Sequence, residues 1–493
     1  MNKTEQFARW EEKLSAYQYA LNLHWLDGNN EPPEEGKAYS QKMAAILHGE
    51  RFALENDPEI HTLLEELKDD PDPLLRRKAQ LYLEKTDRMK GVDKDEYVAY
   101  QKILADSIQA WLKYRTAGDW KSYAPYLKDL VEAYSRMFEK RERTGTIYDL
   151  MLEDHEKGWN TERYDAFFQE VKEHCVPLLK KIADAKQPDV SFLHQYYPAE
   201  KQRQYMPEVL KYLGFTEKWG KMYESAHPVT SCVSQGDIRF STKYRENDIS
   251  AAILSSVHEI GHAWYGHDTD PLYNGTVIAR SICAGMHESQ SRLLENHIGR
   301  SLVFWQTHLP GLQKVFPAEL SGVSAEQFCR AVCTVKPGLI RTLADEVTYP
   351  LHIMIRYEIE KMMFSGKADI LKLDEVWNQM VHNLLGLDVP DASQGILQDM
   401  HWPYAYFGYF PTYALGSAFA AQFYAALEKE VPVEKLLAEG KPEEIFRWLR
   451  EHIHTYAGYL DSDEVMRSAT GKDFDIRCWT DYIERKYAQL YSL

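Results

Sequence analysis

Apolar side chains recur every three or four residues along most of this 493-residue chain, which restricts it to a largely helical fold. Such spacing places the apolar residues on one face of a helix, where they can be buried together. The clearest sets are Phe7, Trp10, Leu14, Tyr17 and Leu21, and later Tyr97, Tyr100, Leu104, Ile108 and Trp111. Acidic and proline-rich breaks at 29–36 and 69–73 interrupt the pattern. We therefore predict a series of helices up to about residue 180.

Strand-forming segments are scarce. Two short β-prone runs occupy 229–233 and 238–242, on either side of Ser234-Gln235-Gly236. Runs of this kind around a glycine-containing turn predict a hairpin or a small sheet. Helical periodicity returns at Asp248 and continues to the C-terminus. The predicted fold class is therefore mostly α, with one small β-sheet near the middle of the chain.

The charge balance is acidic, with 58 Lys and Arg against 75 Asp and Glu and a formal net charge of -17. Proteins that bind phosphate backbones or anionic membranes usually carry a basic excess, so we expect neither nucleic acid nor a membrane as a partner. No apolar run approaches the roughly 18 residues of a spanning helix, and the N-terminus has no apolar signal segment. Six cysteines without a CxxC pair are typical of a reducing compartment. We therefore expect a cytoplasmic protein.

One segment, His258-Glu259-Ile260-Gly261-His262, carries a pattern with a specific chemistry. Asp248 can cap a helix that runs through it, and histidines four residues apart then project from the same helical face. Two neutral imidazoles suit Zn²⁺ and leave a coordination position open for water. Glu259 lies beside the first histidine, where its carboxylate can take a proton from that water. The pattern predicts a zinc-type metallopeptidase.

A catalytic zinc site of this kind usually has a third protein ligand. The extension HExxHxxGxxH is absent, because His262 is followed by Ala263-Trp264-Tyr265-Gly266-His267. A second helical segment carries Glu288, 26 residues after His262 (288 minus 262), and can bring it back over the first helix. Glu295, farther along the same helical face, is the alternative. The spacing alone leaves both glutamates open.

Five further motifs between residues 227 and 402 resemble those of the carboxypeptidase Taq family of metallocarboxypeptidases. They are His227-Pro228-Val229, Asp237-Ile238-Arg239-Phe240-Ser241, His287-Glu288-Ser289-Gln290, Ile340-Arg341-Thr342-Leu343-Ala344-Asp345 and Gly395-Ile396-Leu397-Gln398-Asp399-Met400-His401-Trp402. Two positions depart from the family pattern, since Val229 replaces a phenylalanine and Ser241 replaces a threonine. Length and helical character agree from end to end, so the resemblance covers the whole chain.

The resemblance implies a fold similar to the neurolysin-like helical peptidases, with a deep central cleft between two helical halves. It implies one peptidase unit spanning 1–493, with the metal and substrate motifs within 227–413. It also implies that Glu288 is the third ligand beside His258 and His262. The metal would be one divalent ion per chain, Zn²⁺ first and Co²⁺ as the alternative, and the assembly would be a homodimer.

A carboxypeptidase must hold the terminal carboxylate of its peptide substrate, and the planar fork of an arginine does this with two parallel hydrogen bonds. Arg341 is the first candidate and Arg239 the second. The alternative for Arg341 is a structural ion pair with Asp345 at i+4. His227 and His401 are candidates to donate hydrogen bonds to substrate carbonyls, or else are hydrogen-bonded core histidines.

Attack on a peptide carbonyl creates an oxyanion that needs hydrogen-bond donors. Tyr409, in a glycine- and aromatic-rich stretch after Trp402, is the first choice, and Tyr413 is a further substrate-binding candidate. The alternative for each tyrosine is that it is an aromatic residue of the hydrophobic core. Acidic residues can also orient metal-binding histidines through their second ring nitrogens. The candidates for that role are Asp345, Glu346 and Asp399.

These features predict a metallocarboxypeptidase that releases single amino acids from peptide C-termini with broad specificity. Glu259 would act as general base on a metal-activated water. The first alternative is an oligopeptidase that cuts internal bonds, because it would use the same metal centre. The second alternative is a non-enzymatic, acidic helical scaffold that binds peptides.

Overall fold

The computed structural model describes residues 2–29, 33–88, 91–141, 145–225 and 228–493. Within these ranges the chain forms 20 α-helices and one three-stranded sheet. The helices that precede the sheet are α1 (Lys3–Asn29), α2 (Glu34–Glu55), α3 (Pro58–Leu67), α4 (Pro73–Asp87), α5 (Lys94–Tyr114), α6 (Trp120–Glu139), α7 (Ile147–His155), α8 (Thr161–Asp184) and α9 (Ala199–Tyr212).

The helices that follow the sheet are α10 (Ala251–His267), α11 (Ala284–Arg292), α12 (Leu302–Val315), α13 (Ala325–Val332), α14 (Tyr349–Ser365), α15 (Leu373–Leu385), α16 (Phe410–Glu430), α17 (Val433–Ala438), α18 (Glu443–His452), α19 (Ser462–Thr470) and α20 (Arg477–Tyr491). A π-helical stretch, Leu293–Gly299, continues α11. In the part of the chain that the structure describes, no helix is long and apolar enough to cross a membrane. The predicted mostly α fold is confirmed.

Prolines and aspartates mark the starts of the early helices. Helices α3 and α4 both begin at a proline, and the aspartate before each one accepts a hydrogen bond from the first turn. Asp57 accepts the Glu59 N–H at 2.9 Å, and Asp72 accepts the Leu74 N–H at 2.9 Å. Proline fits the first helical position because the missing N–H would have no partner there. The predicted breaks at 29–36 and 69–73 coincide with the boundaries α1/α2 and α3/α4, although Asn29 still belongs to α1, 34–36 to α2 and Pro73 to α4. Residues 30–32 lie outside the described residues.

The apolar faces predicted from the sequence form the cores. Phe7, Trp10 and Leu14 of α1 pack against α3 and α4 in a small N-terminal core. A much larger core joins residues from α5 to α20. Val257 and Ile260 on the back of α10 are completely buried in it, and burying a side chain of this size contributes about 1.5–3 kcal/mol. This packing fixes the rotation of α10 and therefore the direction in which its histidines project.

The sheet contains β1 (Gly220–Glu224), β2 (Thr230–Ser234) and β3 (Asp237–Thr242), with β3 in the centre. Strands β2 and β3 form the predicted antiparallel hairpin, in which Ser231 lies opposite Arg239. Strand β1 pairs parallel to β3 and was not predicted. Strand β2 is therefore an edge strand, and it packs against α10. This contact brings the sheet next to the histidine-bearing helix.

Candidate metal centre

Helices α10 and α11 approach each other backbone to backbone. A Cβ atom at Gly261 would lie 2.4 Å from the Gln290 carbonyl oxygen and 2.5 Å from the Ser291 Cα, so only glycine fits at this position. Helix α16 approaches α11 in a similar way. A Cβ at Gly416 would lie 2.7 Å from the Glu288 Cβ. Glu288 is therefore held on a helix that packs closely against both α10 and α16.

The side chains of His258, His262 and Glu288 converge on one point. The Nε2 atoms of His258 and His262 lie 3.7 Å and 3.3 Å from Glu288 Oε2, and the donor atoms of the three residues all lie within 4.8 Å of one another. Ligands at the ~2.0–2.2 Å bond lengths of tetrahedral zinc are separated by roughly 3.3–3.6 Å. Two imidazole nitrogens and one carboxylate oxygen at these separations fit a divalent metal ion. Glu295, the alternative from the sequence, is not part of this group.

The second ring nitrogen of each histidine also has a partner. His258 Nδ1 lies 3.0 Å from Glu295 Oε2, and His262 Nδ1 lies 2.7 Å from His287 Nδ1. Burial and the neighbouring His262 lower the pKa of His287 to about 3, so His287 is neutral and can accept the His262 hydrogen. Contacts of this kind fix the tautomer and the ring orientation of a metal-binding histidine. Both Nε2 atoms are thereby directed towards Glu288.

Arg292 fixes the third side chain. It lies four residues after Glu288 and donates from Nε to Glu288 Oε1 at 2.7 Å and from Nη1 to Glu295 Oε2 at 3.1 Å. Burial opposes ionisation of Glu288, but Arg292 and the two histidines outweigh burial and hold the pKa of this carboxyl below its ordinary value. Glu288 is therefore a carboxylate, the form that binds a metal ion. Arg292 occupies Oε1 and leaves Oε2 facing the imidazoles.

The acidic residues proposed from the sequence as partners of the histidines lie elsewhere, so that prediction is wrong. Asp345 accepts backbone N–H groups at the start of α14. Glu346 pairs with Lys486 at 2.6 Å. Asp399 lies between two arginines. The actual partners are on α11 and on the π-helical stretch that continues it. Both segments pack against α10, so their side chains lie close to the two histidines.

Glu259 follows His258 on α10 and is only 6% exposed. The hydroxyl of Thr230, at the start of the edge strand β2, donates to Glu259 Oε2. The same hydroxyl lies 3.2 Å from the backbone carbonyl oxygen of Glu259. This contact orients the carboxylate and leaves Oε1 for a further hydrogen bond. A carboxylate beside a histidine that is positioned to bind a metal is suited to proton transfer.

Helix α16 and the residue just before it present further predicted residues on one face. Tyr409, Tyr413 and Gly416 are spaced by four and three residues, and Gly416 packs against Glu288. The Tyr409 and Tyr413 rings are 5.2 Å apart, and His401 Nε2 lies 3.2 Å from the Tyr413 hydroxyl oxygen. Burial raises the pKa of Tyr409 above its ordinary value, so its hydroxyl keeps its hydrogen. The face of α16 that contacts Glu288 therefore carries two phenolic hydroxyls.

A family model described as carboxypeptidase Taq (M32) metallopeptidase matches residues 6–487 of the sequence. The chain belongs to the carboxypeptidase Taq family. Carboxypeptidase 1 of Bacillus subtilis (strain 168) is 33% identical over 488 residues, which cover 98% of this chain and 97% of the relative. Thermostable carboxypeptidase 1 of Thermus thermophilus is 34% identical over 483 residues, covering 93% of each chain.

Solved structures in the carboxypeptidase Taq family have the same fold. An M32 carboxypeptidase from Deinococcus radiodurans superposes with a TM-score of 0.96 at 29% identity and full coverage of both chains. A carboxypeptidase from Pyrococcus furiosus gives a TM-score of 0.95 at 29% identity, with 99% of each chain covered. The predicted family and the predicted class of enzyme, a metal-dependent carboxypeptidase that hydrolyses peptide bonds, are thereby confirmed.

Arg341 of this carboxypeptidase Taq family member is 7% exposed and lies beside the Tyr413 ring. Its Nε and Nη2 donate to Asp399 Oδ1 at 3.0 Å and 2.7 Å, and its Nη1 donates to the Tyr349 hydroxyl at 3.3 Å. An arginine has five N–H groups, so one remains on Nη1 and one on Nη2. The alternative ion pair with Asp345 is wrong, because Asp399 takes that place.

The motifs before α10 gave two further substrate-binding candidates in this carboxypeptidase. Arg239 donates from Nε and Nη2 to the two oxygens of Asp237, each at 2.8 Å, so its bidentate side is occupied. His227 lies outside the described residues. At the position where the family has threonine, the Ser241 hydroxyl accepts the Val229 N–H at 3.2 Å and keeps a local hydrogen bond.

Three residues of the centre had no role in the sequence analysis. Arg292 carries a local signal, because it stands four residues after Glu288 on the same helix. His287 stands in a family motif, but nothing in the sequence pairs it with His262. Thr230 lies 29 residues before Glu259 in another element, and no sequence pattern links the two.

Proposed function

We propose that this chain is a Zn²⁺-dependent carboxypeptidase that removes single amino acids from peptide C-termini with broad specificity. The observation that carries the proposal is the convergence of His258 Nε2, His262 Nε2 and Glu288 Oε2 next to Glu259. Mixed imidazole and carboxylate donors suit Zn²⁺, and Co²⁺ is the alternative ion. One ion per chain would be held by these three residues.

When bound, a divalent ion supplies Lewis acidity that polarises the scissile carbonyl and lowers the pKa of a water molecule. Glu259 accepts a proton from the attacking water at Oε1, because Thr230 occupies Oε2. Glu259 then delivers this proton to the nitrogen of the leaving amino acid. The Tyr409 hydroxyl donates a hydrogen bond to the substrate oxygen that becomes negative.

Arg341 would bind the terminal carboxylate of the substrate. Its remaining N–H groups on Nη1 and Nη2 can form two parallel hydrogen bonds to a carboxylate. Asp399 fixes the plane of the guanidinium from its other side. Arg239 is the second candidate for this role, since both of its bidentate donors already bind Asp237.

His401 would hold a substrate carbonyl. Among the described residues, its buried Nδ1 atom has no hydrogen-bond partner, while Nε2 contacts the Tyr413 hydroxyl. A buried ring nitrogen without a partner is unfavourable, and a substrate carbonyl would satisfy it once neighbouring side chains move to expose Nδ1. Tyr413 supports the imidazole from the other side. His227 remains a candidate for a similar contact.

Two measurements test the proposal. The Glu259→Gln variant should retain its metal ion and lose nearly all turnover, because the amide cannot accept the proton. Peptides with amidated C-termini should be cleaved poorly, because they lack the carboxylate that Arg341 binds. Near wild-type turnover in Glu259→Gln would rule out the general base. Equal cleavage of amidated and free peptides would favour an oligopeptidase that cuts internal bonds.

We also propose that residues 1–493 act as one peptidase unit, and that two copies form a homodimer in the cytoplasm. The support is the resemblance to the carboxypeptidase Taq family. Light scattering of the purified protein should give about twice the chain mass of 57.4 kDa. A mass equal to that of one chain would contradict the dimer.

A further inference from the structure

Glu360 of α14 is a completely buried carboxylate that the proposed chemistry does not use. Its Oε2 accepts the Tyr148 hydroxyl at 2.8 Å and the Gly408 N–H at 2.8 Å. Its Oε1 accepts the Trp402 indole N–H at 2.7 Å. All three donors are neutral, so this carboxylate is stabilised by hydrogen bonds and not by a bonded cation.

Two of these donors belong to the segment 402–408, which connects His401 to α16. Trp402 stands at its beginning and Gly408 at its end, so one carboxylate holds both ends of the segment. Gly408 has a φ of 79°, a conformation that favours glycine, and a Cβ there would lie 2.6 Å from the Met151 carbonyl oxygen. The segment therefore has little freedom to shift against α7.

Tyr409 follows directly after Gly408 and begins the α16 face that packs against Glu288. The position of its hydroxyl depends on where the 402–408 segment ends. We propose that Glu360 is a positioning residue for Tyr409, because its carboxylate ties the start of α16 to α7 and α14. This inference rests on the proposed role of Tyr409 at the substrate oxygen.

The full set of three hydrogen bonds requires an ionised carboxylate. Because burial raises the pKa of Glu360 to about 7, the set is complete only above neutral pH. A carboxylate offers acceptor positions on both oxygens, and all three partners approach as donors. A glutamine at this position would turn its NH₂ group either towards the Trp402 indole N–H or towards the Gly408 N–H. In both orientations two donors would face each other, and at least one of the three hydrogen bonds would be lost.

The test uses the metal-loaded enzyme and a peptide with a free C-terminus, at about pH 8.5, where Glu360 is ionised. Glu360→Gln should lower kcat about 10- to 100-fold, the range found when outer partners of an active site are lost. Its KM and its metal content should stay close to those of the wild type, because the metal ligands and Arg341 are unchanged. The matched control is Glu358→Gln on the same helix, whose side chain is partly exposed and pairs with Lys361, and it should keep wild-type kcat.

A double-mutant cycle with Tyr409→Phe separates positioning from general support of the fold. If Glu360 acts through Tyr409, adding Glu360→Gln to Tyr409→Phe should produce little further loss of kcat. Should Glu360→Gln fail to fold, Tyr148→Phe takes its place in the cycle, because it removes one of the three donors and keeps the ring. We then expect Tyr148→Phe to lower kcat less than Glu360→Gln would. This loss should also disappear when Tyr409→Phe is present.

The possible failures are distinguishable. Wild-type kcat in the Glu360→Gln variant, or losses that multiply in the double variant, would overturn the positioning role and leave the proposed function intact. Wild-type kcat in Tyr409→Phe would overturn the role of the tyrosine and this inference with it. High turnover in Glu259→Gln would instead contradict the proposed chemistry itself.

Discussion

Each side chain of the candidate metal centre has one polar atom directed at the common point and another held by a neighbour. Glu295 holds His258, His287 holds His262, and Arg292 holds Glu288. Because the orientation of all three donors is set before an ion arrives, binding does not have to order them. The partners should therefore affect metal affinity almost as much as the ligands do.

Replacing Arg292 with glutamine tests this at one residue. The charge partner of Glu288 Oε1 is lost, so the carboxylate can rotate away from the histidines. We expect the metal affinity to fall about 10- to 100-fold, and competition with a chelator measures the change. The control is Arg467→Gln. Arg467 pairs with Asp473 at the surface and contacts no residue of the metal centre. Equal affinities in the two variants would contradict the role of Arg292.

Replacing Thr230 with valine tests the orientation of Glu259, the proposed general base. Valine has the same shape but cannot donate to Glu259 Oε2. A hydrogen bond to a charged group contributes about 1.5–3 kcal/mol, so steady-state kinetics should show kcat lowered about tenfold or more. Metal content should not change, and Thr230→Ser should recover most of the activity because it restores the hydroxyl. A fully active valine variant would show that Glu259 needs no such contact.

At the residue scale, the sequence predicted positions on one helix far better than contacts between elements. The i, i+4 spacing of His258 and His262 was sufficient to place both imidazoles on one face. The pairing of Arg341 with Asp399 spans 58 residues, and no local pattern contains it. The closer Asp345 was therefore wrongly proposed as its partner, because sequence proximity does not report how the turn Arg341–Leu343 packs against the 398–401 segment.

At the scale of elements, the site depends on the close contact between α10 and α11. The spacing alone left Glu288 and Glu295 open as the third ligand, because both lie on one helical face, and the family resemblance favoured Glu288. The close approach of α10 and α11 at Gly261 explains physically how Glu288 reaches both imidazoles. The β2–β3 hairpin was predicted from its turn, whereas Gly220–Glu224 lacks β-branched residues and becomes a strand only through pairing with β3.

Substituting Gly261 with alanine tests the helix contact directly. The added methyl group would overlap the Gln290 carbonyl oxygen, so the helices must separate. We expect urea unfolding to show a loss of about 1–3 kcal/mol, together with weaker metal binding. The control is Gly49→Ala in α2, where nothing lies within 4 Å and alanine should stabilise the helix by about 0.5–1 kcal/mol. A Gly261→Ala protein as stable as the wild type would contradict the contact.

At the scale of the whole molecule, the helical periodicity was sufficient to predict the fold class, because the apolar faces of nearly every element enter one of two cores. The same periodicity says nothing about polar groups inside those cores. Glu156, for example, is completely buried, and it accepts the Gly285 N–H at the start of α11 and the Ser462 hydroxyl. Buried carboxylates of this kind make the stability of the molecule depend on pH.

Burial raises the pKa of Glu156 from 4.5 to about 7. Between these two values the folded protein binds more protons than the unfolded chain, so this group favours folding at low pH and loses that effect as the pH rises through 7. We therefore compare the metal-free wild type with Glu156→Gln between pH 4.5 and 7.5. Over this range the unfolding free energy of the wild type should fall by about 3 kcal/mol more than that of the variant. Urea unfolding at several pH values measures the difference.

The control for this pH dependence is Glu444→Gln, which replaces an exposed glutamate on α18. Its unfolding free energy should follow that of the wild type across the same pH range. A Glu156→Gln protein whose stability changes with pH as steeply as that of the wild type would show that Glu156 is not protonated on folding.

In the proposed metal centre, two imidazoles of α10 and one carboxylate of α11 hold a single divalent ion. An anomalous difference map recorded at the zinc absorption edge from crystals of the metal-loaded protein tests it most directly. We expect one peak per chain at about 2.0–2.2 Å from His258 Nε2, His262 Nε2 and Glu288 Oε2. An active, zinc-loaded crystal whose peak lies away from these atoms would contradict the account.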